Sequence, residues 1–193
     1  MINAWQKQSY RSKVAHLGIA EVKKSGSTGA SVRSLRDLVE SDEDPAERVP
    51  ACVFLTLEDL KCFEVVDKQF QFLGVTFRNA IALHPSNPAY PAHSGEIVLL
   101  AAPKSGWLEA KFSRPVVLAR GFVTSSRQAT LTAYDEAGTA IAQAETASSN
   151  LAGSNTSTPP NAELSVQAPN IHRIVFSAFG GELTVDGFGF SFW

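Results

Sequence analysis

The stretch "HPSNPAYPAHSG", His84 to Gly95, holds two histidines, one tyrosine and three prolines within twelve residues. Prolines restrict the backbone, so Tyr90 sits on a stiff connection. There it can stack against a sugar ring or another flat apolar face, or it can cover the edge of a core. His84 and His93 are metal-ligating types, but no third ligand stands near them, and solvent-facing or capping histidines are the plainer expectation. A second connection, "SSNLAGSNTSTPPN" from Ser148 to Asn161, is built of small polar residues, Gly and Pro. It reads as a mobile excursion in which Asn150 and Asn155 would be the hydrogen-bonding groups of a binding loop. Trp107 begins an apolar run and Trp193 ends one, so each is placed either to meet a ligand or to cap a core.

Catalytic patterns are absent from the sequence. There is no G-x-S-x-G elbow, no H-E-x-x-H pair and no phosphate-binding glycine loop, and the acids form no recognisable pair. The expectation is a protein without enzymatic activity. Cys52 and Cys62 stand too close in sequence, and too alone, for a disulfide framework or a metal spacing, so reduced, partly buried thiols are expected.

The elements that position these residues follow from texture. From Phe63 onward, runs of Val, Ile, Thr and Phe alternate with Gly, Pro, Asn and Ser. Val75/Phe77, Leu108/Ala110/Phe112, Ile174/Phe176 and Phe188/Phe190/Phe192 repeat at the period of a strand with one buried face. "GVTFRNAIAL", "WLEAKFS", "PVVLARGFVT", "AELSVQA" and "IHRIVFSA" each predict a strand. "YDEAGTA" predicts a hairpin connection, and "ELTV-DG-FGFSF" predicts a second one with Asp186-Gly187 as its turn. Many short strands without helical spacing between them predict a mostly β domain, two antiparallel sheets packed face to face in the jelly-roll manner, over residues 63–193.

Residues 1–62 predict a separate N-terminal segment. "SGSTGAS" is a joint by composition, after which Val32, Leu35, Leu38 and Val39 recur at helical spacing behind Ser31, predicting a short helix over 32–41. Thr56 and Asp59 suggest one further capped turn. The helical stripe is too narrow to stand alone in water, so it is expected to dock on the sandwich or on a second copy, which makes self-association the alternative role. Charge adds to this picture: residues 1–24 carry five Lys/Arg against one Glu, while Asp37 to Glu47 holds six acids and no base. A net charge of −2 over 193 residues provides no basic field for nucleic acid. No stretch has the length and apolarity of a secretory signal or a membrane span, so the chain as written is expected to be cytoplasmic and free of membranes.

The order of "FE", "GVTFRNAIAL", "LTAYDEAGTAIAQAE" and "IHRIVFSAFGGELTVDGFGFSF" resembles the galactose-binding-like, or discoidin-like, β-sandwich modules found in exported bacterial and cyanobacterial proteins. The resemblance covers about residues 63–193. It implies a binding module that recognises a glycan or a protein surface through its loops. It also implies a structural calcium where the first strand meets the last, and the matching positions are Glu64, Asp186 and, nearby, Asp67. The Asp-Gly turn is the competing explanation of Asp186.

Overall fold

A computed structural model describes residues 52–101 and 106–192. The predicted helix over 32–41, the joint before it, and Trp193 lie outside those residues. Ten strands follow one another: β1 (Cys52–Phe54), β2 (Val65–Val66), β3 (Val75–Arg78), β4 (Ala80–Leu83), β5 (Val98–Ala101), β6 (Trp107–Ser125), β7 (Thr130–Tyr134), β8 (Ala140–Glu145), β9 (Ala162–Ser177) and β10 (Leu183–Ser191). Among the described residues there is no α-helix, only a single 3₁₀ turn at Gln71–Leu73, and none long and apolar enough to cross a membrane.

All pairings are antiparallel, and the two longest strands organise them. β6 pairs with β9 along most of its length, while its first half also pairs with β3 and its second half with β10. The last half of β9 continues to β7, which pairs with β8. The front layer therefore runs β2-β4-β5-β10-β6-β9, with β1 also on β10, and the back layer runs β3-β6-β9-β7-β8. Rings from opposite layers meet in the middle: Phe77 of β3 lies 5.3 Å from Phe188 of β10, and Phe112 of β6 lies 5.0 Å from Phe190. These are two sheets packed face to face, joined through a shared ribbon.

Three local expectations are corrected. "WLEAKFS" and "PVVLARGFVT" form one strand, and so do "AELSVQA" and "IHRIVFSA". The register slips between Lys111 and Leu118, an interval that holds Pro115 on β6 and Pro169 and Asn170 (φ 60°) on β9. A proline cannot donate to the ladder, so the ribbon bends there and passes from one layer to the other instead of ending. "GVTFRNAIAL" is conversely two strands. Asn79 takes φ 63°, a left-handed geometry that Asn tolerates, and moves the chain from the back layer to the front.

The third correction concerns Asp186-Gly187. β10 is one strand, and its register against β6 jumps from Asp186↔Phe122 to Gly189↔Arg120. Gly187, at φ 55°, is the extra residue of a β-bulge, not the tip of a hairpin. The expected hairpin at Asp135 is present: Gly138 N–H donates to Asp135 O at 3.1 Å and Thr139 N–H to Asp135 Oδ1 at 2.8 Å. The sandwich also starts earlier than Phe63, since β1 pairs with β10 and Leu55 and Leu57 are buried in the core.

Candidate binding site at the front sheet

Alternation along the first half of β10 sends Leu183 and Val185 inward, and Thr184 and Asp186 toward the outer face of the front sheet. Those outward residues are nevertheless 4% exposed. What covers them is the β4–β5 connection, which turns back on itself at Asn87, whose Oδ1 accepts Ala89 N–H at 3.0 Å and whose carbonyl accepts Tyr90 N–H at 3.0 Å. Asp186 then fastens the far end. One carboxylate oxygen accepts N–H from His93 (2.7 Å) and Ser94 (2.8 Å), and the other accepts Gly187 N–H. A buried carboxylate surrounded by backbone donors is satisfied without any cation.

Tyr90 is drawn under the loop, 7% exposed, and its hydroxyl donates to Glu182 Oε2 at 3.2 Å. Burial, with the Glu182 carboxylate beside it, holds the phenol above its ordinary pKa, while a hydrogen bond with Ser126 works the other way. Its ring is buried, the covering role and not the exposed one of the two that its stiff connection allows. Beside it lies a cleft of about 270 Å³ lined by apolar Leu83, Leu100 and Tyr90 and polar Ser86, Asn87, Glu182 and Thr184, the Thr184 hydroxyl donating to Thr124 O at 3.3 Å. Glu182 and Thr184 were missed at the sequence level, although the alternation of "GELTVD" already places Glu182, Thr184 and Asp186 on one side.

The remaining sequence candidates scatter. His84 is exposed, with Nε2 3.8 Å from Glu96 Oε2. His93 lies flat on Phe122, ring centroids 3.5 Å apart and planes 9° apart. The two histidines thus have different partners, and among the described residues no group of three metal-ligating side chains forms. Trp107, partly exposed, opens β6 in the back layer beside Ser177 and is no part of the cleft. Asn155 is exposed on its own loop.

Asn150 is fully buried and is a structural residue. Its Oδ1 accepts Ser125 N–H at 2.7 Å, and its amide donates to Val123 O (2.7 Å) and Pro159 O (3.0 Å). The expected mobile excursion is thereby pinned, and Ala152 N–H reaches Ala89 O at 3.0 Å, joining the two loops.

The calcium set does not assemble. β4 and β5 separate β2 from β10, and three strand spacings put Glu64 roughly 14 Å from Asp186. Glu64 instead accepts Gln69 Nε2–H and Lys61 N–H, hydrogen bonds that lower its pKa. Asp67 donates its own N–H to Gln69 and accepts Phe77 N–H through its carbonyl. The strand that meets β10 from the start of the described chain is β1, which offers no carboxylate. Both cysteines are free and exposed, not partly buried: Cys52 Sγ contacts Ser191 Oγ at 3.1 Å, and Cys62 Sγ accepts His84 N–H.

No protein-family model matches the chain, and no curated protein matches it. Among solved structures it is similar to a DUF4465 family protein from Bacteroides caccae, with 11% identity and TM-score 0.46 over 72% of this chain and 98% of that one. It is also similar to CBM29-2, a family 29 carbohydrate binding module, with 11% identity and TM-score 0.39 over 74% of this chain and 92% of that one. A third is TmCBM61, solved in complex with beta-1,4-galactotriose, with 14% identity and TM-score 0.31 over 68% of this chain and 94% of that one. Two of the three are carbohydrate-binding modules by name. At these TM-scores the fold stands on the chain's own strand pairing and cross-layer ring contacts.

Proposed function

We propose that the protein is a non-enzymatic recognition module that takes a sugar unit of a glycan into the loop cleft above β10. The supporting observation is the cleft itself. A saccharide ring presents an apolar C–H face and a rim of hydroxyls, and the cleft lining combines apolar side chains with the Glu182 carboxylate, the Asn87 carboxamide and the Ser86 hydroxyl. Stiffening comes from Pro85, Pro88 and Pro91 and from the Asp186 clamp, so little ordering cost falls on binding. Glu182 is the strongest acceptor in the lining, and the Tyr90 hydroxyl fixes its position.

Calorimetry against short oligosaccharides of glucose, mannose and galactose tests this. Saturable binding to at least one is expected, with affinity lowered at least about tenfold by Glu182→Ala, the loss of one charge-assisted hydrogen bond. Tyr90→Phe keeps the ring and frees Glu182, and a smaller loss is expected. Absence of binding to every saccharide, or binding indifferent to both substitutions, would overturn the cleft reading.

A further inference from the structure

The run "DGFGF" in β10 divides its side chains by face. Phe188, Phe190 and Phe192 are buried in the core, while Gly187 and Gly189 lie opposite rings on the outer side. A Cβ on Gly187 would stand 2.7 Å from the Phe122 ring. That glycine is already required by the bulge. Gly189 is different, because its φ is not positive and the backbone does not demand glycine there. A Cβ at Gly189 would stand 2.8 Å from Phe54 Cδ1, closer than any nonbonded carbon contact. Glycine inside a strand weakens it, and it marks a place where another group must approach closely. Here that group is the Phe54 ring.

Covering a glycine would explain a buried ring, but Phe54 is 57% exposed. Its surroundings are polar. Strand register sets Phe54, Gly189, Arg120 and Ser165 in one row across four strands. The Arg120 guanidinium carbon lies 5.0 Å from the Phe54 centroid, and Arg120 is held by Glu163 at 3.0 Å. Exposed Glu163, Ser165 and Gln167 line the neighbouring strand.

We propose that this glycine-cleared face is a second saccharide-binding platform, on which a pyranose ring stacks over Phe54 and its hydroxyls reach Arg120 and the Glu163–Ser165–Gln167 row. One open ring among hydrogen-bonding side chains suits a sugar. It falls far short of the roughly 800 Å² per partner that a stable protein interface buries. Thr184 of the loop cleft lies five residues along β10, roughly 17 Å away, with His93 and its Asp186 clamp between. The platform shares with the cleft reading only the class of ligand.

The full chain is titrated with cello-, manno- and galacto-oligosaccharides as wild type, Phe54→Ala, Phe54→Trp and Glu182→Ala. In Phe54→Trp the introduced indole reports stacking as a saturable change in the emission difference spectrum against wild type. That change is expected, together with an affinity at least about tenfold weaker in Phe54→Ala and preserved within about threefold in Phe54→Trp. No emission change, with Phe54→Ala and wild type binding alike, would overturn the platform. Weakening by Glu182→Ala but not by Phe54→Ala would overturn the platform and keep the cleft. Weakening by Phe54→Ala but not by Glu182→Ala would keep the platform and remove the cleft. A dimer in sedimentation velocity that dissociates on Phe54→Ala, without saccharide response, would reassign the face to a second copy and also overturn the proposal.

Discussion

The two long connections differ in composition and are held by the same device. The β4–β5 loop is rich in proline and is clamped by a carboxyl side chain, Asp186, which receives three backbone N–H groups. The loop from Ser148 to Asn161 is small and polar, and a neutral side chain, Asn150, does the clamping with one acceptor and two donors. The clamps also run in opposite directions. Asp186 reaches from the sheet up to a loop, and Asn150 reaches from a loop down to the end of β6. Loop order in this molecule therefore comes from single buried polar groups, and proline content alone does not decide it.

The comparison breaks most visibly at Asp186. Asp186→Ala leaves three donors without their acceptor and is expected to cost about 3 kcal/mol in urea unfolding, with amide exchange at His93 and Ser94 rising sharply. Unchanged exchange at those amides would show that the carboxylate is not what holds the loop. Asn150→Ala removes neutral hydrogen bonds and is expected to cost less, about 2 kcal/mol, with exchange rising at Ser125 instead. A swap sharpens the contrast: Asn150→Asp keeps the acceptor for Ser125 but turns both donors into a charge facing the carbonyls of Val123 and Pro159. It should therefore be less stable than wild type by at least as much as Asn150→Ala is. Equal stability of Asn150→Asp and wild type would mean that the amide donors contribute nothing.

Neither clamp was legible from the sequence, and the reason is physical. Period-two alternation announces which residues face the core, so Phe77, Phe112, Phe176 and the Phe188–Phe192 series were placed correctly. A polar residue on the opposite face is expected to be solvated, and only the fold reveals that a loop covers it. Asp186-Gly187 shows the same limit. A left-handed glycine serves a hairpin tip and a bulge equally well, and the outcome depends on whether the chain stays beside β6. The strand break at Asn79 and the bend at Pro115 are hidden for a like reason, because a bend between layers and a break between strands use the same residues. Phe54 is hidden because the strand texture is legible only from Phe63 onward.

A smaller effect is expected from the Tyr90 phenol. Its pKa is raised in the folded state, chiefly by burial, so the unfolded chain loses the proton first as pH rises. The stability that this buried neutral phenol contributes is fully present below its ordinary value of about 10 and is lost as pH climbs through the folded value. Unfolding midpoints of wild type should fall faster than those of Tyr90→Phe above roughly pH 10. Parallel curves would mean that the hydroxyl titrates as it does in water.

The smallest expected effect is that of calcium, and it separates two accounts of Asp186. As a metal ligand, Asp186 would need Glu64 beside it, but β4 and β5 stand between their strands. Its oxygens are already directed at His93, Ser94 and Gly187. A cation bound only by the folded state at a hundred times its dissociation constant adds about 2.7 kcal/mol. In a chain of this size that would raise the thermal midpoint by roughly 5–10 °C. Wild type in millimolar calcium and in chelator is expected to melt at the same temperature, and the cost of Asp186→Ala is expected to be the same in both. A midpoint that rises with calcium in wild type and not in Asp186→Ala would return the carboxylate to a metal and leave the loop to be held through it.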